Sequence, residues 1–204
     1  MHWGFIVSSE RSLPMQLQTG DLIFVGITDT DDFSQRIAAS THRETAVDYT
    51  HIGLVEKTTA TLFVLHASPE TGSTREPLAR FLNRQTGVAD VYRPTISNAP
   101  WPAILQNAKA MLGQPYNWSF IKSRPGYYCS EYIMNAFQPA QIFTEAPMTF
   151  GPNNSILPGW LDYYADLELP VPNGEPGTNP NGLANSPHLK YLGRLNDVNA
   201  VDAW

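Results

Sequence analysis

Two segments, residues 51–56 and 62–67, are dominated by apolar and β-branched side chains and stand five residues apart. That spacing dictates a β-hairpin, with residues 57–61 as its turn. Each segment carries one histidine, His51 at the start of the first and His66 near the end of the second. If the hairpin is centred between Thr58 and Thr59, His51 and His66 fall directly opposite one another. Opposed residues point to the same face with Cβ atoms roughly 4.5–5.5 Å apart, so one imidazole can orient the other. A slip of one residue would send the two rings to opposite faces. Thr-Thr is a poor two-residue turn, so a longer loop with the same centre is expected.

Other elements follow from the same kind of patterning. Leu22-Ile23-Phe24-Val25, after Gly20-Asp21, is a short continuous apolar run and implies a buried strand. Asp21 is assigned to turn chemistry. A helix is expected over 31–42, with Phe33, Ile37 and Ala38 on one face, followed by a polar loop over 43–49. A short helix is expected at 78–82 and a strand at 89–93. Residues 102–112 repeat apolar side chains at helical spacing, with Pro102 in the first turn and Gly113 as a stop. Residues 114–128 hold two prolines, one glycine and five aromatics, which describes a structured loop. A helix then runs from Cys129 to Phe137 and ends before Pro139. Residues 170–187 are rich in Pro, Gly and Asn and are expected to be an exposed loop, followed by a last strand over 188–195.

The chain has 204 residues, enough for one well-buried domain and short for two. A single domain over 1–196 is expected, with 197–204 as a loose tail. The net charge of −6 and the lack of basic runs argue against a nucleic-acid partner. No apolar run approaches the roughly 18 residues of a membrane span. The N-terminal apolar stretch is too short for a signal-peptide core, and no basic residue precedes it, so a cytoplasmic protein is expected.

Cys129 is the only cysteine, which rules out an intramolecular disulfide. It falls at the first turn of its helix, because the periodic apolar residues Ile133, Ala136 and Phe137 begin just after it. The positive end of a helix stabilises a thiolate, and its free N–H groups can donate to an oxyanion formed beside the sulfur. Cys129, His51 and His66 would then be nucleophile, base and orienting group. The plain alternative is a buried inert cysteine and two half-buried strand histidines. A metal site made of the same three residues would need a further ligand at suitable spacing, which the sequence lacks. No metal or cofactor is expected. Tyr116 and Tyr128 flank Cys129, either as packing residues or as substrate contacts. His2, His42 and His188 are assigned no role.

These segments together resemble a known family. Gly20-Asp21-Leu22-Ile23-Phe24, Thr50-His51-Ile52-Gly53-Leu54-Val55, Phe63-Val64-Leu65-His66-Ala67-Ser68, Leu112-Gly113-Gln114-Pro115-Tyr116-Asn117 and Tyr128-Cys129-Ser130-Glu131 are similar to motifs of the NlpC/P60 superfamily. In its ordinary members the cysteine helix precedes the histidine strands. Here it follows them, as in the permuted branch, the YaeF/YiiX-like papain-fold amidases. The segment 182–187 also resembles the end of that domain. The resemblance implies an α+β papain-like fold, circularly permuted, in which an antiparallel sheet or small barrel packs against helices. It implies Cys129 as nucleophile, His51 as general base and His66 as the orienting residue. Permuted relatives often carry glutamate at the third position, so His66 is a departure that leaves the substrate class open.

Three activities compete: an amidase or peptidase on a cell-wall-type peptide or N-acyl amino acid, a lipid-directed thiol hydrolase or acyltransferase, and a silent papain-fold binding module. The dependence of Cys129 alkylation on pH discriminates, since a low-pKa thiolate marks an enzyme. The sequence does not set the oligomeric state.

Overall fold

The computed structural model describes residues 15–26, 32–41, 47–85 and 87–195. Its strands in chain order are β1 (Leu22–Gly26), β2 (Tyr49–Lys57), β3 (Leu62–Ser68), β4 (Gly72–Pro77), β5 (Ala89–Pro94), β6 (Ala146–Pro147), β7 (Pro176–Gly177) and β8 (Leu189–Arg194). Its α-helices are α1 (Asp32–Thr41), α2 (Leu78–Asn83), α3 (Trp101–Ala110), α4 (Cys129–Ala136), α5 (Pro158–Asp166) and α6 (Pro180–Ala184).

β1 is buried along its whole length, which is why its sequence is a continuous apolar run rather than an alternating one. Around it, six antiparallel strands form one sheet in the order β4-β3-β2-β1-β5-β8. The sheet is open, so the barrel alternative does not hold. β6 and β7 form a separate two-stranded pair.

The period-two alternation of the strands splits the core into two layers. Leu22, Phe24, Ile52, Leu54, Leu65 and Ala67 face α3 and α4, meeting Ile104, Ala108, Tyr132, Ile133 and Phe137. Ile23, Val25, Val55, Val64 and Val91 face the other way and are covered by Leu78 and Phe81 of α2. A third cluster joins Trp160 and Tyr164 of α5 to Phe150, with Phe33 and Ile37 of α1 packed against it. Glu56 of β2, bonded to Arg75 at 2.5 Å and to Lys109 of α3, ties α3 to the sheet.

The β2–β3 hairpin forms, but its centre differs from the expected one. Leu54 pairs with Leu65 and Lys57 with Leu62, so the four-residue loop 58–61 is centred between Thr59 and Ala60. Thr58 N–H donates to the Thr61 carbonyl at 3.0 Å to close it. Carried one step further, this register sets His66 against Gly53 rather than against His51. The two histidines are therefore diagonal neighbours, displaced by two residues, and keep the same face.

Several segments depart from expectation. β4 and α5 were not anticipated. Residues 170–187 are not simply an exposed loop: they contain β7 and α6, with Pro180, Asn181, Leu183 and Ala184 buried. Tertiary bonds hold this short helix in place. Asn179 accepts the Gly182 N–H at 2.7 Å, and Asn181 accepts the Tyr49 N–H at 2.7 Å while donating to the Thr41 carbonyl. Asp21 does close a turn, accepting the Gln18 N–H, and it also forms a bidentate pair with Arg93 at 2.7 and 2.8 Å. The expected tail 197–204, most of the loop 43–49, and His2 and His42 lie outside the described residues.

Gly53 is required by close approach. A Cβ there would sit 2.4 Å from Val64 Cγ1. Overpacking of this kind costs about 1–3 kcal/mol. Gly53→Ala is expected to lower stability by that amount in urea unfolding, with an unchanged slope of free energy against urea.

Candidate active site

β2 and β3 bring the two histidines together. His51 Nε2 lies 2.9 Å from His66 Nδ1, within hydrogen-bond distance. Gly53, opposite His66 in this register, packs under Val64 and Phe81, where a Cβ would meet both. Phe81 of α2 floors the pair: its ring stacks on His51 at 5.8 Å and meets His66 edge-on at 5.0 Å.

The chain of polar groups continues into β4. His66 Nε2 is 3.0 Å from Glu76 Oε1. Val64 pairs with Glu76 and His66 with Thr74, so this step is diagonal as well. The other carboxylate oxygen faces Arg80 Nε at 3.3 Å and an Arg84 amino nitrogen at 3.7 Å. The hydrogen bond from His66 is the largest influence holding the Glu76 carboxyl below its ordinary range. The two arginines act in the same direction against the opposing effect of burial. Glu76 was not singled out in the sequence, because β4 lacks an apolar alternation. The available signal was the turn-forming Pro69-Glu70-Thr71-Gly72, which closes a second hairpin and lays residue 76 diagonally beside His66.

Cys129 is the first residue of α4, and the extended Tyr128 precedes it as the N-cap. The helix begins there because Glu131 folds back to accept the Tyr128 N–H at 3.4 Å. Its apolar face, Tyr132, Ile133 and Ala136, is fully buried against the sheet and α3. The Tyr132 hydroxyl fixes the contact by donating to the Ala108 carbonyl at 2.6 Å.

The sulfur of Cys129 rests against the β2 backbone, while the His51 ring points to the Phe81 side of the same strand. Its thiol donates to the Thr50 carbonyl at 3.8 Å, and the Ile52 N–H also lies near it. These backbone groups belong to the residues on either side of His51. The thiol's hydrogen bond goes to that carbonyl and not to the imidazole. With Nε2 engaged by His66, Nδ1 is the other ring nitrogen of His51.

Burial governs the charge states. It pushes the Cys129 thiol up to about 12, outweighing the backbone N–H groups of Ser130, Cys129 and Ile52, which pull the other way. The expected depression by the helix N-terminus is thus overridden. Burial, helped by neighbouring His66, also holds His51 well below its ordinary value. At neutral pH the resting pair is a thiol and a neutral imidazole.

Tyr116 and Tyr128 both adjoin Cys129, with different engagements. Burial, reinforced by the Cys129 thiol, keeps the Tyr116 hydroxyl protonated, and the Cys129 backbone N–H lies beside it. The Tyr128 hydroxyl accepts the Thr178 N–H at 3.1 Å and is pushed up to about 12, mainly by burial. His188 takes no part in the site.

Two cavities meet at these residues. The larger, about 740 Å³, is lined by His51, His66, Ser68, Arg84, Tyr116 and Trp118, among others. The smaller, about 60 Å³, is lined by Cys129, Tyr116, Phe120, Tyr128, Phe150 and Trp160, among others. Thr50, Tyr116 and Ile37 line both, so they form the boundary between a mixed polar and apolar chamber on the histidine side and a mainly apolar slot on the cysteine side. Of the aromatic run in the 114–128 loop, Tyr116, Trp118, Phe120 and Tyr128 line cavities. Tyr127 instead packs on Tyr132.

A helix-borne cysteine against an antiparallel sheet whose preceding strands carry the histidines defines a permuted papain-like protein. The chain belongs to the family described as "Permuted papain-like amidase enzyme, YaeF/YiiX, C92 family", which matches residues 16–193. It is 31% identical over 138 residues to the uncharacterized protein YiiX of Escherichia coli (strain K12), a match spanning 66% of this chain and 64% of that protein. The fold is also similar to a solved structure described as metalloprotein yiiX from Escherichia coli O157:H7. The TM-score is 0.74 at 24% identity, covering 90% of this chain and all of the other. Among the described residues here, no group of three or more His, Cys, Asp or Glu side chains is placed to hold a metal ion.

Glu131 offers a test of the helix start. Burial pushes its carboxyl up to about 7. A carboxyl raised in the folded state contributes stability that is complete below its unfolded pKa and declines as pH rises through about 7. Glu131→Gln is therefore expected to change stability little at pH 4.5 and to raise it by on the order of 1–3 kcal/mol at pH 8. Thermal melts of both proteins across that range check the sign.

Proposed function

We propose that this protein is a cysteine hydrolase that cleaves an amide through a thioester, with Cys129 as nucleophile, His51 as general base and His66 as the group that orients it. The observation that carries this reading is the His51–His66 pair at 2.9 Å, whose His51 stands on the strand against which the Cys129 sulfur rests. Family membership supports amidase chemistry.

The step sequence follows from the charge states. With the thiol and the imidazole both neutral, proton transfer accompanies attack. The Cys129 proton moves to His51 Nδ1 as sulfur bonds to the carbonyl carbon. The backbone N–H of Cys129 and the protonated Tyr116 hydroxyl supply donors for the oxyanion. Collapse breaks the C–N bond, and His51 returns the proton to the departing amine. Water then gives a proton to His51 and its oxygen to the thioester, releasing the acid and the thiol.

The two cavities support a divided substrate. The 60 Å³ slot beside Cys129 has room for a few water-sized groups, which suits a short apolar acyl portion. The 740 Å³ chamber, with polar and apolar lining together, suits a larger portion of mixed character. The small slot beside Cys129 favours a short acyl group, as in a peptide or N-acyl amino acid, over a long-chain lipid.

One observation favours the silent binding module instead: the thiol stands near 12 and its bond goes to Thr50 rather than to His51. Wild type and Cys129→Ala are compared on a panel of acyl-amino acids, cell-wall peptides and lipid esters. The hydrolase reading expects turnover of an amide in the panel and its loss by at least about 10³-fold in the variant, the scale on which nucleophile removal acts. No turnover at all, or turnover that survives the substitution, defeats it.

Alkylation adds a second check. Iodoacetamide modification of free enzyme is expected to climb steadily with pH beyond 9, because a thiol held near 12 has no thiolate plateau at neutrality. A plateau below pH 8 would place the thiolate in the resting state and replace concerted transfer with a preformed ion pair.

A further inference from the structure

Three polar side chains, the last two buried, lie in a line across three strands, and only the first two have been given work. His51 Nε2 meets His66 Nδ1 at 2.9 Å, and His66 Nε2 meets Glu76 Oε1 at 3.0 Å. His66 is 1% exposed, so neither ring nitrogen can turn to water. We infer that Glu76 is a positioning residue which, through His66, sets the tautomer of His51 and leaves the His51 lone pair on Nδ1. This rests on the reading of His51 as base for its catalytic meaning, but not for its structural content.

The inference is a matter of donors and acceptors. An ionised carboxylate only accepts. Two guanidinium groups, Arg80 at 3.3 Å and Arg84 at 3.7 Å, hold Glu76 in that form. His66 Nε2 must then carry the hydrogen. The single charge of Glu76 is already shared between two arginines, so a third cation buried at His66 is disfavoured and the ring is neutral. A neutral ring with hydrogen on Nε2 offers a lone pair at Nδ1. His51 must donate to it from Nε2, and its own Nδ1 is left unprotonated. That is the nitrogen the proposed mechanism needs. An anionic residue two bonds removed from the base thereby decides which nitrogen can take the thiol proton.

The arginines also predict what an isosteric substitution does. In Glu76→Gln the amide oxygen is drawn to Arg80 and Arg84, which only donate. The amide NH2 then faces His66 Nε2, and every hydrogen in the chain reverses. His66 donates from Nδ1, His51 accepts at Nε2, and its hydrogen sits on Nδ1, where it blocks the base.

The experiment is 15N NMR of the full chain with labelled histidine, on wild type and Glu76→Gln, near pH 7.5. Wild type is expected to show His51 and His66 both with pyrrole-type Nε2 and pyridine-type Nδ1. Glu76→Gln is expected to show both reversed. Wild-type rings with hydrogen on Nδ1, or a His66 with two pyrrole-type nitrogens, overturn the inference without any variant. So does a folded Glu76→Gln whose tautomers match wild type. If Glu76→Gln does not fold, the wild-type spectrum alone decides.

On any amide that Cys129 is shown to turn over, Glu76→Gln is expected to lower kcat by about 10²–10⁴-fold with KM changed by less than about threefold, the scale known for a wrong-tautomer base. An undiminished kcat would remove Glu76 from the mechanism. If the substrate panel fails while the wild-type tautomers are as stated, the hydrolase reading falls and the tautomer assignment stands.

Discussion

A buried imidazole has one hydrogen to give and one lone pair to fill, and His66 finds both partners on the neighbouring strands. This requirement couples β2, β3 and β4. A slip of one residue in either hairpin would send a partner to the opposite face and leave His66 unsatisfied in the core. Losing one such bond costs about 1–3 kcal/mol. The polar line thus helps enforce the register that creates it. Gly53 serves the same end by leaving empty the space that a Cβ would take beside Val64.

Cys129 poses an opposing demand. A thiolate there would need its negative charge stabilised, and the start of α4 offers N–H groups for that purpose. The same packing that docks α4 on the sheet takes the sulfur out of water, and desolvation is the larger effect. The helix cannot be docked closely enough to place its sulfur by β2 without also removing solvent from it. A buried, neutral thiol is the outcome, and under the proposed mechanism it makes proton transfer part of the attack.

Much of the sheet was legible because its signals are local. The continuous run of β1 announces a strand buried on both faces, and the apolar segments around 57–61 announce a hairpin. The shared face of His51 and His66 was legible for the same reason, since two diagonal steps and two direct ones have the same parity. The offset itself was not, because it depends on where a four-residue loop places its centre, and Thr58-Thr59-Ala60-Thr61 carries no glycine to mark it. α6 was hidden for a different reason. Five residues opening on Pro180 have no helical periodicity to show, and Asn181 holds them through partners about 130 to 140 positions away in the chain. Glu76 escaped because its meaning lies in a cross-strand neighbour, and Thr74-Arg75-Glu76 looks like any exposed polar stretch.

The order of the chain matters less to the site than the compactness of its parts. His51, His66 and Glu76 fall within one meander, β2-β3-β4, so their geometry is set by local turns and adjacent pairings. Cys129 enters from a separate unit, in which α4 packs on α3 and both lie on one face of the sheet. Its position is fixed by the Tyr132 hydroxyl on the Ala108 carbonyl and by Lys109 of α3 on Glu56 of β2. Because each half is organised by its own contacts, the helical half can precede or follow the meander in the chain without changing what faces what. The connection between them is then free to carry Tyr116 and Trp118, which border the larger cavity. A permutation of this kind leaves the polar line within its meander and falls in the connection that borders the larger cavity.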